Sequence, residues 1–291
     1  EISENRERSQ QKQKCIMEAK EASNSRSSEG GAGEPEWAKQ SLRKRCECEL
    51  CLSGVATTHN DSSHDQSLDQ KLSVAGLELR IIGGTTKCAR VMVKFFEDLY
   101  KDGSLKNKKV VEVGSGTGLV GMCLGLLGGH VTLTDQSYVM EVLEYNIQNI
   151  GKQAKDNKKD FVVTTKEHVW GTDIKGLVPC DVVIGSDLIF AHEGIRPLVT
   201  SVTQMVKTSL EAGKQHVDCY IAVIRRFKWE ESFFKLMDEN FECKKAAEDG
   251  DIVIYQYTWH GKGGGKLSAP PKEEAKKHLT FLYRISVHLL D

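Results

Sequence analysis

The sequence predicts an α/β fold: a doubly wound, mostly parallel, seven-stranded sheet with a reversed strand near its C-terminal end. Three observations carry that prediction. Between residues 109 and 237, short apolar, β-branched runs alternate with stretches whose apolar residues recur at helical spacing, the mark of strands joined by crossover helices. Residues 110–113 and 181–186 are apolar with little alternation, as strands covered on both faces are. Finally, the runs 241–247 and 251–259 stand too close together for a crossover helix, so they must pair antiparallel.

The elements follow in order. Leu72, Val74, Leu77, Leu79 and Ile81 alternate with polar residues and predict one or two half-buried strands. After a turn at Gly83 and Gly84, Val91, Phe95, Phe96 and Leu99 give residues 89–100 an apolar stripe, fit to cover one face of a sheet. The strand 110–113 then breaks into Gly114, Gly116 and Gly118 and resumes as an apolar helix through Leu127. Residues 130–134 form the next strand, ending in Asp135. Val139, Val142, Leu143, Ile147 and Ile150 mark a helix expected to close at Gly151. Residues 161–165, 181–186 and 217–224 are strands; 193–210 and 229–237 are amphipathic helices. The closing hairpin is expected to add its reversed strand at an edge of the sheet.

Composition bounds what surrounds this region. Residues 1–70 are charged, then Ser/Gly-rich, then polar, and are expected to be a disordered or loosely attached extension to a domain over 71–260. Residues 261–291 form a linker and tail without an assigned function. Cys46, Cys48 and Cys51 invite a zinc reading that His59 or His64 would have to complete, but the spacing is unlike a structural site, and no metal is assigned. Formal charge is −1, without the basic surplus of a protein that lives on nucleic-acid backbone. No apolar run reaches the roughly 18 residues of a membrane-spanning helix, and the first 30 residues are too polar for a secretory signal. Nine scattered cysteines suit reduced thiols. A cytoplasmic protein is expected, with the nucleus as a second location.

The chemistry concentrates at the glycines. A strand, a tight glycine turn and a helix aim free amides and the positive end of the helix dipole at one point, which suits an anionic ligand group. Gly116-x-Gly118-x-x-Gly121 can be read as a dinucleotide fingerprint, but that reading starts two residues after the first glycine of the turn, Gly114. A nicotinamide oxidoreductase would also want a pair such as Tyr-x-x-x-Lys, which this chain lacks. Asp135 stands about 20 residues after the turn, where an acid accepts both hydroxyls of a ribose; it would serve equally as a helix cap for the segment that follows.

The run Glu112-Val113-Gly114-Ser115-Gly116-Thr117-Gly118 closely resembles the first motif of class I, Rossmann-like S-adenosylmethionine-dependent methyltransferases. With Thr134-Asp135, Leu143 to Asn149, Val169-Trp170-Gly171, Asp181 to Phe190, Arg226 and Phe233-Phe234, the chain resembles the family 16 protein lysine methyltransferases over residues 72–259. That resemblance implies S-adenosylmethionine as cofactor, held by Glu112, Gly114, Gly116, Gly118, Asp135, Trp170 beside the adenine, and Ser186. It implies a protein substrate, no nucleic acid or membrane partner, and a monomer. Asp187 is expected to hold the incoming amine, with Phe190 as the wall of its channel. Two positions depart from the family pattern: Phe190 stands where the family has Tyr, and Cys88 where it usually has Trp. The alternatives are a small-molecule methyltransferase and a binding module that has kept the fold. A nucleic-acid amino methyltransferase would carry prolines in the segment that here reads Asp187-Leu188-Ile189-Phe190.

Overall fold

The computed structural model describes residues 69–261. The expected N-terminal extension with its Cys46, Cys48 and Cys51, and the tail beyond residue 261, lie outside the described residues.

The main sheet is built around central strands, those over residues 109–113, 182–186 and 218–224, that have almost no polar face to give to water. It comprises β3 (Lys109–Val113), β4 (His130–Asp135), β5 (Val162–Glu167), β6 (Val182–Ser186), β7 (Asp218–Ile224), β8 (Phe241–Asp249) and β9 (Ile252–Trp259), in the order β5-β4-β3-β6-β7-β9-β8. The first five pair parallel. The reversed strand β9 lies one place inside the edge, antiparallel to both β7 and β8. The expectation of a reversed edge strand is corrected by burial: β9 brings Ile252, Ile254 and Tyr257 to the core, whereas β8 carries mostly polar residues that water can keep.

Alternation sorts each strand onto two helical layers. Val110, Val182, Ile184, Ala222 and Ile254 pack with α1 (Lys87–Leu99), α2 (Leu119–Leu126) and α3 (Met140–Asp156). Val111, Val113, Val183, Ile221, Val223 and Tyr257 pack with α4 (Ile195–Glu211) and α5 (Glu231–Asp238). Each buried aliphatic side chain stabilises the fold by about 1.5–3 kcal/mol, so this two-sided burial, and not local propensity, holds the sheet.

Local signals set the ends of the elements. Thr86 caps α1 by accepting a bond from Ala89 N at 3.2 Å. Helix α3 runs through Gly151, contrary to the expected stop: a glycine costs a helix roughly 1 kcal/mol, and the buried Ala154 one turn on repays it.

Ahead of the sheet, β1 (Asp69–Val74) and β2 (Leu77–Ile82) form a separate antiparallel hairpin. Ala75 and Gly76 turn it with φ of 50° and 75°, the pair of left-handed residues whose twist matches a hairpin. Strand β2 packs on α3. The chain leaves β3 toward β4 on one side and returns to β6 on the other, so the carboxyl ends of β3, β4 and β6 flank the switch point where open α/β sheets hold ligands.

Candidate active site

Strand β3 delivers the chain to Gly114, Gly116 and Gly118 at φ of 61°, 54° and 81°, a region where a side chain clashes with the backbone. What surrounds each differs. A Cβ on Gly118 would meet Leu133 and Leu143 at 2.8 Å, and one on Gly114 would meet Leu188 at 2.7 Å and Trp170 at 3.0 Å. Around Gly116 there is nothing within 4 Å. Core side chains thus seat the third glycine, Leu188 and Trp170 wall the first, and the middle one faces open space.

The elbow is tied to the end of β4. Ser115 N donates to Thr134 O at 2.9 Å, Thr134 N donates to Ser115 Oγ at 3.0 Å, and Thr134 Oγ1 donates to Glu112 O at 2.7 Å. This latch brings Asp135 against the middle glycine: its Oδ2 accepts from Gly116 N at 2.8 Å and its Oδ1 from Gln136 N at 2.8 Å. Burial raises the Asp135 carboxyl above its ordinary range, opposed by those two bonds. Each carboxylate oxygen retains a free lone pair, so the acid can still accept two hydroxyls beside the open elbow. Gly116 and Asp135 therefore fit a nucleoside whose charged tail lies on the turn.

Glu112, expected at the cofactor, lies elsewhere. It points under the elbow, 1% exposed, and its Oε2 accepts from Gly121 N at 3.0 Å. Burial pushes its carboxyl up to about 8, against the bonds from Gly121 and Ser115. The reason is alternation: Val110 and Glu112 share the face that α2 covers, so this acid braces the turn from below.

Trp170 arrives on the loop after β5. His168 N donates to Asp135 O at 2.9 Å, and Gly171 N donates to Ser201 Oγ at 2.8 Å, the same hydroxyl that lies 3.0 Å from His168 Nε2. Burial holds His168 down at about 4, hence neutral near pH 7. The Trp170 ring lies 6.1 Å from that of Phe190, linking the elbow to the end of β6.

There Ser186 closes the strand and Asp187 takes φ 57°. Asp187 N donates to Ala222 O at 3.0 Å, and its carboxylate receives two bonds from Arg226, Nη1 to Oδ1 at 2.9 Å and Nη2 to Oδ2 at 3.2 Å. Asp187, expected to be available to an amine, is thus clamped by a guanidinium. Cys88, on the first turn of α1, is buried beside this pair. Phe190 is 40% exposed, and Phe227, 58% exposed, stacks on Trp229 at 5.6 Å on the loop after β7. Among the described residues no cluster of three or more His, Cys, Asp or Glu could hold a metal ion, and no helix is long and apolar enough to cross a membrane.

Sequence reasoning assigned no role to Asn146, which is fully buried on α3. Its Oδ1 accepts from Ile82 N at 2.9 Å, while its Nδ2 donates to Ile82 O and to Thr117 O, each at 3.0 Å. One amide therefore staples the hairpin to the elbow. The available signal was an amide between Leu143 and Ile150 on an apolar stripe, where an unpaired polar group is costly.

A family model described as lysine methyltransferase matches residues 70–240. EEF1A lysine methyltransferase 3 of Xenopus tropicalis is 28% identical over 208 residues, 69% of this chain and 87% of that protein. Protein N-lysine methyltransferase METTL21A of the same species is 29% identical over 152 residues, 52% of this chain and 65% of that protein. Among solved structures, ribosomal protein L11 methylase from Lactobacillus delbrueckii subsp. bulgaricus is similar at a TM-score of 0.45 and 15% identity, over 61% of this chain and 80% of that one.

Proposed function

The chain belongs to the lysine methyltransferase family, and from that premise we propose how its crevice divides between methyl donor and acceptor. The enzyme is S-adenosylmethionine-dependent and methylates lysine in protein. The methyl donor carries its methyl on a sulfonium sulfur; the acceptor Nζ, having lost a proton to solvent, forms the new N–C bond as the C–S bond breaks onto sulfur. The protein must therefore align two ligands and keep water out.

The donor side is Gly114, Gly116, Asp135 and Trp170. The observation that carries this is the open space at Gly116 bordered by the Asp135 carboxylate 2.8 Å from its amide: Asp135 takes the ribose hydroxyls, the methionine part lies along the glycine turn, and Trp170 borders the adenine. Gly118, Glu112 and Ser186 support this wall from behind or beside it. The acceptor side is Asp187 with Phe190, which lies against Trp170. An aromatic wall suits the alkyl stem of lysine and the positive charge at its end. The exposed rings of Phe190 and Phe227, on the loops that leave the paired strands β6 and β7, offer apolar contact area outside the crevice, which favours a macromolecular acceptor over an enclosed small molecule.

Isothermal titration of S-adenosylhomocysteine into the wild-type chain and Asp135→Ala tests the donor side. A loss of at least tenfold in affinity is expected from removing a charge-assisted acceptor; equal affinities would remove Asp135 from the ribose.

A further inference from the structure

The feature that methyl transfer does not by itself call for is the clamp on Asp187. The backbone there enters the left-handed region that favours glycine, φ 57°, and is pinned by the bond from Asp187 N to Ala222 O. That strained turn presents both carboxylate oxygens to the two terminal nitrogens of Arg226, a fork-to-fork pair whose side chains are 15% and 35% exposed. Arg226 is held in turn: its own N–H donates at 2.8 Å to Oε2 of Glu230, a carboxylate 1% exposed. The other titratable group facing the pair is the Cys88 thiol on α1, which burial, with the Asp187 charge adding to it, pushes up to about 12, so that it stays neutral.

An uncompensated carboxylate beside a lysine would bind the ammonium well and hold its proton, while transfer needs the free amine. A nearby opposite charge stabilises the charged form, and a compensating cation cancels that effect. Resting on the acceptor-wall reading of Asp187 and Phe190, we propose that Arg226 is a positioning residue for the transfer: it clamps both Asp187 oxygens so that the carboxylate can accept a hydrogen bond from the acceptor amine without confronting it with a bare negative charge. Arg226 touches neither the donor nor the reacting atoms in this arrangement. The bidentate geometry fixes where the carboxylate points, while the compensation itself comes from the positive charge, which a lysine would share as a point charge without the planar fork.

The test compares the wild-type chain with Arg226→Gln, Arg226→Lys, Asp187→Asn and the double variant Arg226→Gln/Asp187→Asn. Initial rates of tritiated methyl transfer from S-adenosylmethionine to whole-lysate protein are followed from pH 6.5 to 9.5. Binding of n-butylammonium, a lysine side-chain mimic, is measured by NMR titration in the presence of S-adenosylhomocysteine. Arg226→Gln is expected to move the rising limb of the rate profile about one unit toward alkaline pH and to tighten n-butylammonium binding about tenfold, the size expected for one uncompensated charge a few ångströms away at a partly exposed site. Arg226→Lys should restore most of the profile, and the double variant should return the limb to the wild-type position.

A rate that falls equally at every pH in Arg226→Gln, with n-butylammonium affinity unchanged, would overturn the proposal and leave Arg226 a brace. Should Arg226→Gln fail to fold, the decision passes to Arg226→Lys against Asp187→Asn: the proposal then requires the limb of Asp187→Asn to lie on the acid side of Arg226→Lys, and coincident profiles refute it. If instead Asp187→Asn leaves rate, limb and n-butylammonium affinity all unaltered, Asp187 is not at the acceptor, and the wall reading is what fails.

Discussion

Replacing Glu112 with Gln keeps an acceptor for Gly121 N and nearly the same volume under the elbow while removing the one group there that titrates. In the wild-type chain that carboxyl is raised from 4.5 to about 8 by burial. Between those values the native state keeps a proton that the unfolded chain has lost, so stability is greatest below pH 4.5 and falls as pH rises toward 8. Each pH unit in the window is worth at most about 1.4 kcal/mol, and the whole window at most about 5 kcal/mol. Relaxation around a buried site brings the effective penalty down, and a difference of about 2–3 kcal/mol between pH 5 and pH 8 is the expectation. Urea unfolding of both proteins at pH 5, 6, 7 and 8, followed by circular dichroism, measures it. The two should be closest in stability at pH 5, and the Gln variant should gain on the wild type at each step upward. Asp135, also raised by burial, adds a slope of the same sign to both proteins, differing only by its charge coupling to Glu112, which ranks last among the causes of the Glu112 shift. Parallel stability profiles would refute the argument, and would mean that the Glu112 carboxyl ionises freely in the folded chain.

Two glycines of the elbow region should fail differently. Gly116→Ala places a methyl in open space at φ 54°, costing about 1–2 kcal/mol of stability and weakening S-adenosylhomocysteine in calorimetry, whereas Gly121→Ala drives a methyl to 2.2 Å from Leu133 and should lower the melting temperature further by overpacking. Asn146→Leu strips partners from the N–H and C=O of Ile82 and the C=O of Thr117; a loss of about 3 kcal/mol is expected in urea, and a loss below about 1 kcal/mol would show that the staple is dispensable. Phe227→Ala, at a ring 58% exposed, should raise the lysate-protein concentration needed for half-maximal methyl labelling roughly fivefold. Its S-adenosylhomocysteine affinity and melting temperature should match the wild type, and unchanged labelling would remove the rim from substrate binding.

The strands and the elbow were legible because their causes are local. Val110, Val111 and Val113 followed by spaced glycines admit few conformations, and Asp135 is placed by the end of a short apolar run. The place of Glu112 follows from its strand and not from the motif it belongs to: a strand buried on both faces buries an acid at its centre. The position of β9 inside the edge was also readable in principle, since it carries large apolar residues on both faces, Ile252 and Ile254 on one and Tyr257 on the other, whereas β8 is mostly polar. What could not be read was the Asp187–Arg226 clamp. Its partners lie 39 residues apart and meet only because β6 and β7 pair in register, Ser186 opposite Ala222. Gly151 misled for the opposite reason: a local stop signal was overridden by the burial of Ala154 and by good helix formers on both sides of it.

The staple through Asn146 decides where this protein can be cut. A shortened version starting after residue 82 would deprive the Asn146 amide of both its bonds to Ile82, leaving it to hold Thr117, on the loop that should cradle the nucleoside, with nothing fixing its other end. Fragments prepared for crystallisation or for calorimetry should therefore begin no later than residue 69. A loss of nucleoside affinity in a shorter fragment would report a broken tether, with every residue of the ligand wall still present.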